Sequence, residues 1–303
     1  MPSVRRGLAC ASTALIFLPW FAAPAGAAPF GELPFRSVPT AAVCVRATGV
    51  PGELIRWTRG GATLMQARAD GLRDAGFVRL GTLNDCPAVA ADATTGAAVL
   101  AGSTKDGIRV AMRAPGGGWG APERIAAGTL PQLSAGVSRR GDAVIAWVEQ
   151  GAAGRPAKVR AARHTAGVQG WTVEKLSEGG DDFDGAAAGM AADGEALVAF
   201  AVPGRGDDGR IEVVSARPGA TLTPARNAGR AHFGADPRIA VAPDGRVLVS
   251  GGEDVYERPP GGMLTRVWEG EPDAFALRPD GGAVIVAGSA LGVWLHQRRT
   301  TET

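Results

Sequence analysis

Three carboxylates crowd one glycine-flanked stretch of the chain: Asp181, Asp182 and Asp184 lie within GGDDFDG at 179–185. Carboxylates so spaced can turn toward one point. Their oxygens suit a hard cation such as calcium, whose binding would relieve their repulsion. The full EF-hand spacing with its closing glutamate is absent, so the expectation is a calcium or other divalent cation site resting on these three residues. Glu269, Glu271 and Asp273 form a second acidic group, and His232, with Arg230 and Asp236 close by in sequence, would supply directional contacts between the two. These nine residues are the expected ligand-binding set. Catalytic chemistry has less to work with. Gly-x-Ser-x-Gly does not occur, and neither a phosphate loop nor a dinucleotide-binding fingerprint is present.

The elements that must carry these groups follow from an internal repeat. An apolar strand, a turn ending in glycine, a second apolar strand, a polar loop and a third strand recur along the chain. The copies contain PAVAADATTG-AAVLAG (87–102), PQLSAGVSRRG-DAVIAW (131–147), GAAAGMAADG-EALVAF (185–200), PRIAVAPDG-RVLVSG (237–251) and PDAFALRPDG-GAVIVAG (272–288), after a more divergent first copy at 39–57. The turn glycines are Gly52, Gly96, Gly141, Gly194, Gly245 and Gly281, separated by 44, 45, 53, 51 and 36 residues. A mean period of about 46 suits four short strands, the size of one propeller blade. Asp-Gly at 193–194, 244–245 and 280–281 fits hairpins that need positive φ. Helices are disfavoured, because Gly or Pro interrupts any 3.6-residue apolar stripe.

Third strands are expected at 63–68, 108–113, 159–163, 213–217, 255–258 and 293–298, each ending in arginine: Arg68, Arg113, Arg163, Arg217, Arg258 and Arg298. A residue present in every copy serves what every copy shares, so these arginines read as structural, stacking on aromatic rings and donating to turn carbonyls. Fourth strands are expected from Phe77, Trp119, Trp171, Leu222 and Leu264, and the sixth copy has none before Thr303. FGELPFRSV at 30–38 precedes the first copy and resembles that missing strand. The expected fold is therefore all-β, a six-bladed β-propeller whose N-terminal strand closes the last blade. His164 and His296 fall in or beside third strands, as does Tyr256, the only tyrosine, away from a central channel.

The repeat phrase resembles those of secreted bacterial β-propeller proteins, the broad sialidase-like and tryptophan–aspartate-repeat-like group, over essentially the whole mature chain. The resemblance implies a propeller and no particular activity. No copy carries the Ser-x-Asp-x-Gly-x-Thr-Trp box of sialidases; APDG (242–245) and RPDG (278–281) keep only its Asp-Gly.

Residues 1–27 read as an export signal: Arg5 and Arg6, an apolar stretch from Leu8 to Ala23, then Ala25-Gly26-Ala27, with cleavage before Ala28. Residues 28–303 then form one domain, outside the cytoplasm or in the cell envelope. The mature chain keeps two cysteines, Cys44 and Cys86, and a disulfide between them is expected in an oxidising compartment. Loss of Arg5 and Arg6 leaves that chain with no net charge, which argues against nucleic acid as partner. Loops from each fourth strand to the next first strand carry Asp85, Glu178, Asp181, Asp182, Asp184, Asp236, Glu269, Glu271 and Asp273 against a single base, Arg230. One face of the propeller is thus expected to be acidic and the opposite face basic. The functional expectation is a monomeric, non-enzymatic recognition or scaffold module that binds a protein or glycan at the acidic channel face. The alternative is an extracellular glycan hydrolase or lyase on the same fold. First strands rich in Ala, Val, Gly and Leu favour binding.

Overall fold

The computed structural model describes residues 44–48, 50, 52–58, 61–68, 71–127, 132–149, 157–177, 183, 185–204, 208–222, 226–232, 236–252, 254–270, 272, 274–277, 283–289 and 292–298. All of them belong to the compact unit Pro39–Thr303. The expected strand at 30–38 and the acids Glu178, Asp181, Asp182, Asp184, Glu271 and Asp273 lie outside the described residues.

The described chain is all β, with 23 strands in six separate antiparallel sheets. The first sheet runs β1 (Cys44–Ala47), β2 (Glu53–Thr58), β3 (Gly61–Arg68) and β4 (Gly71–Val78). The second holds β5 (Ala88–Ala91), β6 (Ala98–Thr104), β7 (Gly107–Arg113) and β8 (Glu123–Ala126). The third holds β9 (Leu133–Val137), β10 (Ala143–Glu149), β11 (Lys158–His164) and β12 (Thr172–Lys175). The fourth is β13 (Ala186–Met190), β14 (Ala196–Pro203), β15 (Asp208–Ala216) and β16 (Arg226–His232). The fifth is β17 (Arg238–Val241), β18 (Val247–Ser250), β19 (Asp254–Arg258) and β20 (Thr265–Glu269). The sixth has three described strands, β21 (Ala274–Leu277), β22 (Ala283–Ser289) and β23 (Gly292–Arg298).

Every sheet is a simple up-and-down meander in sequence order. The first strands β5, β9, β13, β17 and β21 pack side by side in succession, which is a propeller-like arrangement of blades. Gly52, Gly96, Gly141, Gly194 and Gly245 all take positive φ, between 71° and 91°, as the repeat requires of them. At Gly141, Gly194 and Gly245 the same hydrogen bonds recur: the glycine N–H donates to the carbonyl three residues back, and the flanking pair closes at 2.8–2.9 Å. This is a type I turn followed by a left-handed bulge residue.

Second strands are buried on both faces; all of β6 is buried, as is β10 up to Val148. Their continuous apolar runs follow from that double burial. Alternating side chains serve different neighbours. In β10, Ala143, Ile145 and Trp147 pack with the second sheet, while Val144, Ala146 and Val148 pack with the fourth. In β14, Val198 and Phe200 face the third sheet, and Leu197 and Ala199 the fifth. Five apolar clusters result, each lying between two successive sheets. Outer strands such as β8 (ERIA), β12 (TVEK) and β20 (TRVWE) are charged and largely exposed, which protects their open edges from further pairing. Fourth strands begin later than the tryptophan signals suggest, at Glu123, Thr172, Arg226 and Thr265, whereas β4 begins early and holds Phe77 near its end. Among the described residues no helix is long and apolar enough to cross a membrane.

Candidate functional site

The leading ends of three first strands, β9, β13 and β17, meet at one rim. Gln132 stands just before β9, Gly185 just before β13, and Asp236 two residues before β17. These belong to the third, fourth and fifth sheets, yet Gln132 Nε2 donates to Asp236 Oδ2 across the fourth sheet, at 3.4 Å. Gly185 permits this crossing. A Cβ at that position would lie 3.0 Å from Asp236 Oδ1, 3.1 Å from Pro237 Cδ and 3.5 Å from Gln132 Oε1. The absence of a side chain at Gly185, which is buried, is therefore what lets the Asp236 carboxylate, Pro237 and the Gln132 amide close in over it. Gln132 and Asp236 are both exposed.

Small residues bring these strands close enough for that contact. A Cβ on Gly136 of β9 would stand 2.7 Å from the Gly189 carbonyl carbon of β13. Ser134 Oγ accepts the Ala188 N–H at 2.9 Å between the same strands. Toward the sixth sheet, Arg238 Nη1 donates to the Pro272 carbonyl at 3.0 Å.

At the opposite, turn-glycine ends, buried charges join neighbouring sheets. Arg113, at the end of β7, donates from Nε to the Gly96 carbonyl at 2.6 Å and lies over the Trp119 ring at 5.2 Å. Both its Nη atoms reach the Glu53 carboxylate of the first sheet, at 2.8 and 2.9 Å. Arg258 of β19 holds Glu195, just before β14, in the same two-pronged way at 3.0 and 2.7 Å. Each glutamate directly follows a turn glycine, and each arginine sits opposite the next residue but one after its own turn glycine: Arg113 against Ala98, Arg258 against Val247.

The third-strand arginines do not all share this position. His164 takes it in the third sheet, opposite Ala143, and Ala216 takes it in the fourth, opposite Ala196. Arg163 is one residue off, opposite Val144, and a one-residue shift turns a side chain to the other face of its sheet. It pairs with Glu174 of β12 instead. Glu174 in turn accepts the Leu222 N–H of the fourth sheet at 2.8 Å. His164 keeps the stacking role of Arg113, with its ring 5.5 Å from Trp171 and its Nδ1 3.0 Å from the Gly170 carbonyl. The structural role expected for these arginines thus holds at Arg113, Arg163 and Arg258, by two different geometries.

Asp142 and Asp254 are further buried acids. Burial would raise the Asp142 pKa, but the Ala166 N–H, the Ser138 hydroxyl and Arg140 together hold it below its ordinary value. Asp254 Oδ2 accepts from the Tyr256 hydroxyl at 2.9 Å, and that hydroxyl accepts the Arg230 N–H at 3.0 Å. Burial pushes the Tyr256 pKa up. Tyr256 is 7% exposed and ties the fourth sheet to the fifth.

Of the candidate residues read from the sequence, Asp236 lies at the rim. Arg230 and His232 were expected in a loop entering the fifth blade; they are instead within β16, the outermost strand of the fourth sheet, because the strand continues past the Gly229 irregularity. The His232 side chain is outside the described residues. Glu269 ends β20 rather than starting a loop, and it is exposed beside Arg266 at 3.6 Å. Asp181, Asp182, Asp184, Glu271 and Asp273 are not among the described residues. Cys86 is half-buried with a free thiol, and the Cys44 side chain lies outside the described residues. Gln132 and Gly185 were not singled out in the sequence. Their signal is positional: each immediately precedes a first strand, as Pro237 does in the next copy. Among the described residues no three His, Cys, Asp or Glu side chains gather at a point suited to a metal ion.

No family model matches the sequence, and no curated protein matches it. Solved structures of similar fold do exist. The chain is similar to Kuenenia stuttgartiensis hydrazine synthase, with TM-score 0.51 and 13% identity over 88% of this chain and 99% of that one. It is also similar to a Penicillium chrysogenum alpha-L-arabinanase complexed with arabinobiose, with TM-score 0.48 and 14% identity over 86% and 94% of the two chains. An Aleuria aurantia lectin in complex with a fucosylated ligand aligns with TM-score 0.47 and 10% identity over 81% and 87%. At such identities a likeness concerns the fold alone.

Proposed function

We propose that the protein is an exported, non-enzymatic recognition module, a six-bladed propeller that binds a ligand or protein partner at the rim formed by the heads of its first strands. The observation that carries this reading is the meeting of Gln132 and Asp236 above Gly185. Exposed polar side chains from two different sheets converge there, and convergent polar groups on a rigid scaffold are what a binding site requires. The buried acids of the described chain are engaged elsewhere, in ties within and between sheets. The reading includes closure of the sixth blade by residues 30–38, and a place near the rim for the Asp181, Asp182 and Asp184 group, since Asp184 adjoins Gly185 in the chain. Screening purified mature protein on glycan and peptide arrays tests it. Any specific ligand should lose about tenfold or more in affinity with Gln132→Ala or Asp236→Asn, the scale of a hydrogen bond to a charged group, at unchanged melting temperature. A ligand indifferent to both variants would place recognition elsewhere. Turnover of a bound glycan would overturn the non-enzymatic part alone.

A further inference from the structure

We propose that the outer strands of the second, third and fourth sheets bind an acidic polysaccharide, because each of these sheets sets two basic side chains directly opposite one another at the same register. The pairs are Arg109 with Arg124, Arg160 with Lys175 and Arg210 with Arg230. Each arginine is the third residue of its strand, β7, β11 or β15. The site is separate from the meeting of Gln132 and Asp236 and does not depend on it. Alternation along the strands settles which face the arginines take. Ile108 and Val110 pack toward the third sheet, Val159 and Ala161 toward the fourth, and Ile211 and Val213 toward the fifth. Arg109, Arg160 and Arg210 therefore all turn toward the preceding sheet, and one arrangement recurs three times. Directly opposed side chains share a face with their Cβ atoms about 5 Å apart, and like charges so placed repel. The chain answers only part of that repulsion. Arg160 donates to Glu149 and Arg210 to Glu212, the second at 2.7 Å, and Lys175 has a contact of its own. Among the described residues, no carboxylate lies within ion-pairing distance of Arg109, Arg124 or Arg230. Arg124, Arg210 and Arg230 are exposed and Arg109 is half-buried. The fifth sheet ends the series: Tyr256 stands opposite Arg266, which Asp254 and Glu269 hold at 3.7 and 3.6 Å. Guanidinium groups suit oxyanions such as carboxylate and sulfate. Glu149 and Glu212 beside them only accept hydrogen bonds, which suits hydroxyl donors and repels a second anion. A polymer with spaced oxyanions among many hydroxyls meets both demands. A nucleic acid, charged at every phosphate, does not.

The test is calorimetric titration of the full mature protein with polygalacturonate and dextran sulfate, with methyl-esterified polygalacturonate and dextran as their uncharged counterparts, and with duplex DNA and polyglutamate. One of the acidic polysaccharides should bind, more weakly as salt rises, and its uncharged counterpart should bind at least about tenfold more weakly. Arg109→Gln with Arg124→Gln should weaken that binding by about tenfold or more, and Arg210→Gln with Arg230→Gln should do likewise. Joining the two pairs of substitutions should cost more than either alone, because one polymer engages several rows at once. Neither pair should lower the melting temperature, since each removes a repulsion. Gln132→Ala and Asp236→Asn should not weaken the polysaccharide. Loss of binding in those two variants but not in the arginine variants would move the polysaccharide to the heads of the first strands and overturn the assignment. Equal binding of charged and uncharged forms overturns it as well. So does duplex DNA or polyglutamate that binds as tightly and loses as much in the arginine variants, which would leave a site for anions of any kind. Failure of both acidic polysaccharides to bind refutes the proposal outright.

Discussion

Asp142 shows how a single residue ties the turn-glycine ends together. It follows Gly141 as Glu53 follows Gly52 and Glu195 follows Gly194, but no arginine of the next sheet occupies the matching position. Its carboxylate turns to local donors instead: Ser138 Oγ at 2.8 Å, Arg140 Nε at 3.1 Å and the Ala166 N–H at 3.0 Å. These donors outweigh burial and hold the folded-state pKa below the ordinary aspartate value. The unfolded chain therefore takes up the Asp142 proton at a higher pH than the folded one. Its stabilising effect is complete above the ordinary carboxylate range and is lost as pH falls through the lowered folded value. Urea unfolding of the parent at pH 7 and in steps below pH 4 should show stability falling with acid, and Asp142→Asn should flatten that slope while lowering stability at pH 7. An unchanged slope would show that other carboxylates carry the acid response. The turn that makes this possible was legible in the sequence, since Gly141 was placed by the repeat. The engagement of Asp142 with Ala166 was not, because it depends on where the following turn comes to rest.

Strand register decided what the sequence could and could not convey. Second strands, the turn glycines Gly52, Gly96, Gly141, Gly194 and Gly245, and most third strands stand where the repeat put them, because apolar runs between turn residues are a local signal. The recurring arginine was misleading as a single feature. Arg113 and Arg258 share a register position, Arg163 is one residue away, and histidine and alanine fill the equivalent places in the third and fourth sheets. A string of letters shows that each strand ends in arginine but not which face each arginine takes. Among the described residues, the two-pronged pairs Glu53–Arg113 and Glu195–Arg258 stand where a glutamate after one turn glycine meets an in-register arginine in the next sheet. Both partners of Glu53–Arg113 are nearly buried, with side chains 5% and 10% exposed, so removing one strands the other charge. Arg113→Met should cost about 3–5 kcal/mol in urea unfolding, and the double variant with Glu53→Met should recover much of it, because an apolar pair can replace a buried ion pair at little net cost. Additive losses would mean that each residue acts through separate contacts. The rim was only partly legible for the same reason: Asp236 stood out by its charge, whereas Gln132 and Gly185 matter through adjacency across sheets.

At the scale of the molecule, stability is distributed along the succession of sheets. Each apolar cluster joins one sheet to the next, and each two-faced second strand belongs to two clusters. A sheet so built depends on both neighbours, as units of a repeat protein do, and damage at one boundary is felt along the row. The sixth sheet has three described strands, with β23 last in order. FGELPFRSV at 30–38 is the segment we propose as its fourth strand. Its Pro34 would interrupt the ladder of a central strand but is tolerated in an outermost one. Deletion of residues 28–38 from the mature protein should therefore lower the melting temperature by roughly 5–10 °C, about what a loss of a few kcal/mol produces in a domain of this size. It should also promote aggregation through the exposed edge. A synthetic peptide of residues 28–38, added in excess, should restore part of the lost melting temperature, because a strand that binds only the folded state stabilises it by mass action. A truncated protein that melts with the parent and ignores the peptide would refute closure by this segment. A truncated protein that is destabilised but unresponsive to the peptide would show that residues 28–38 contribute only when covalently attached.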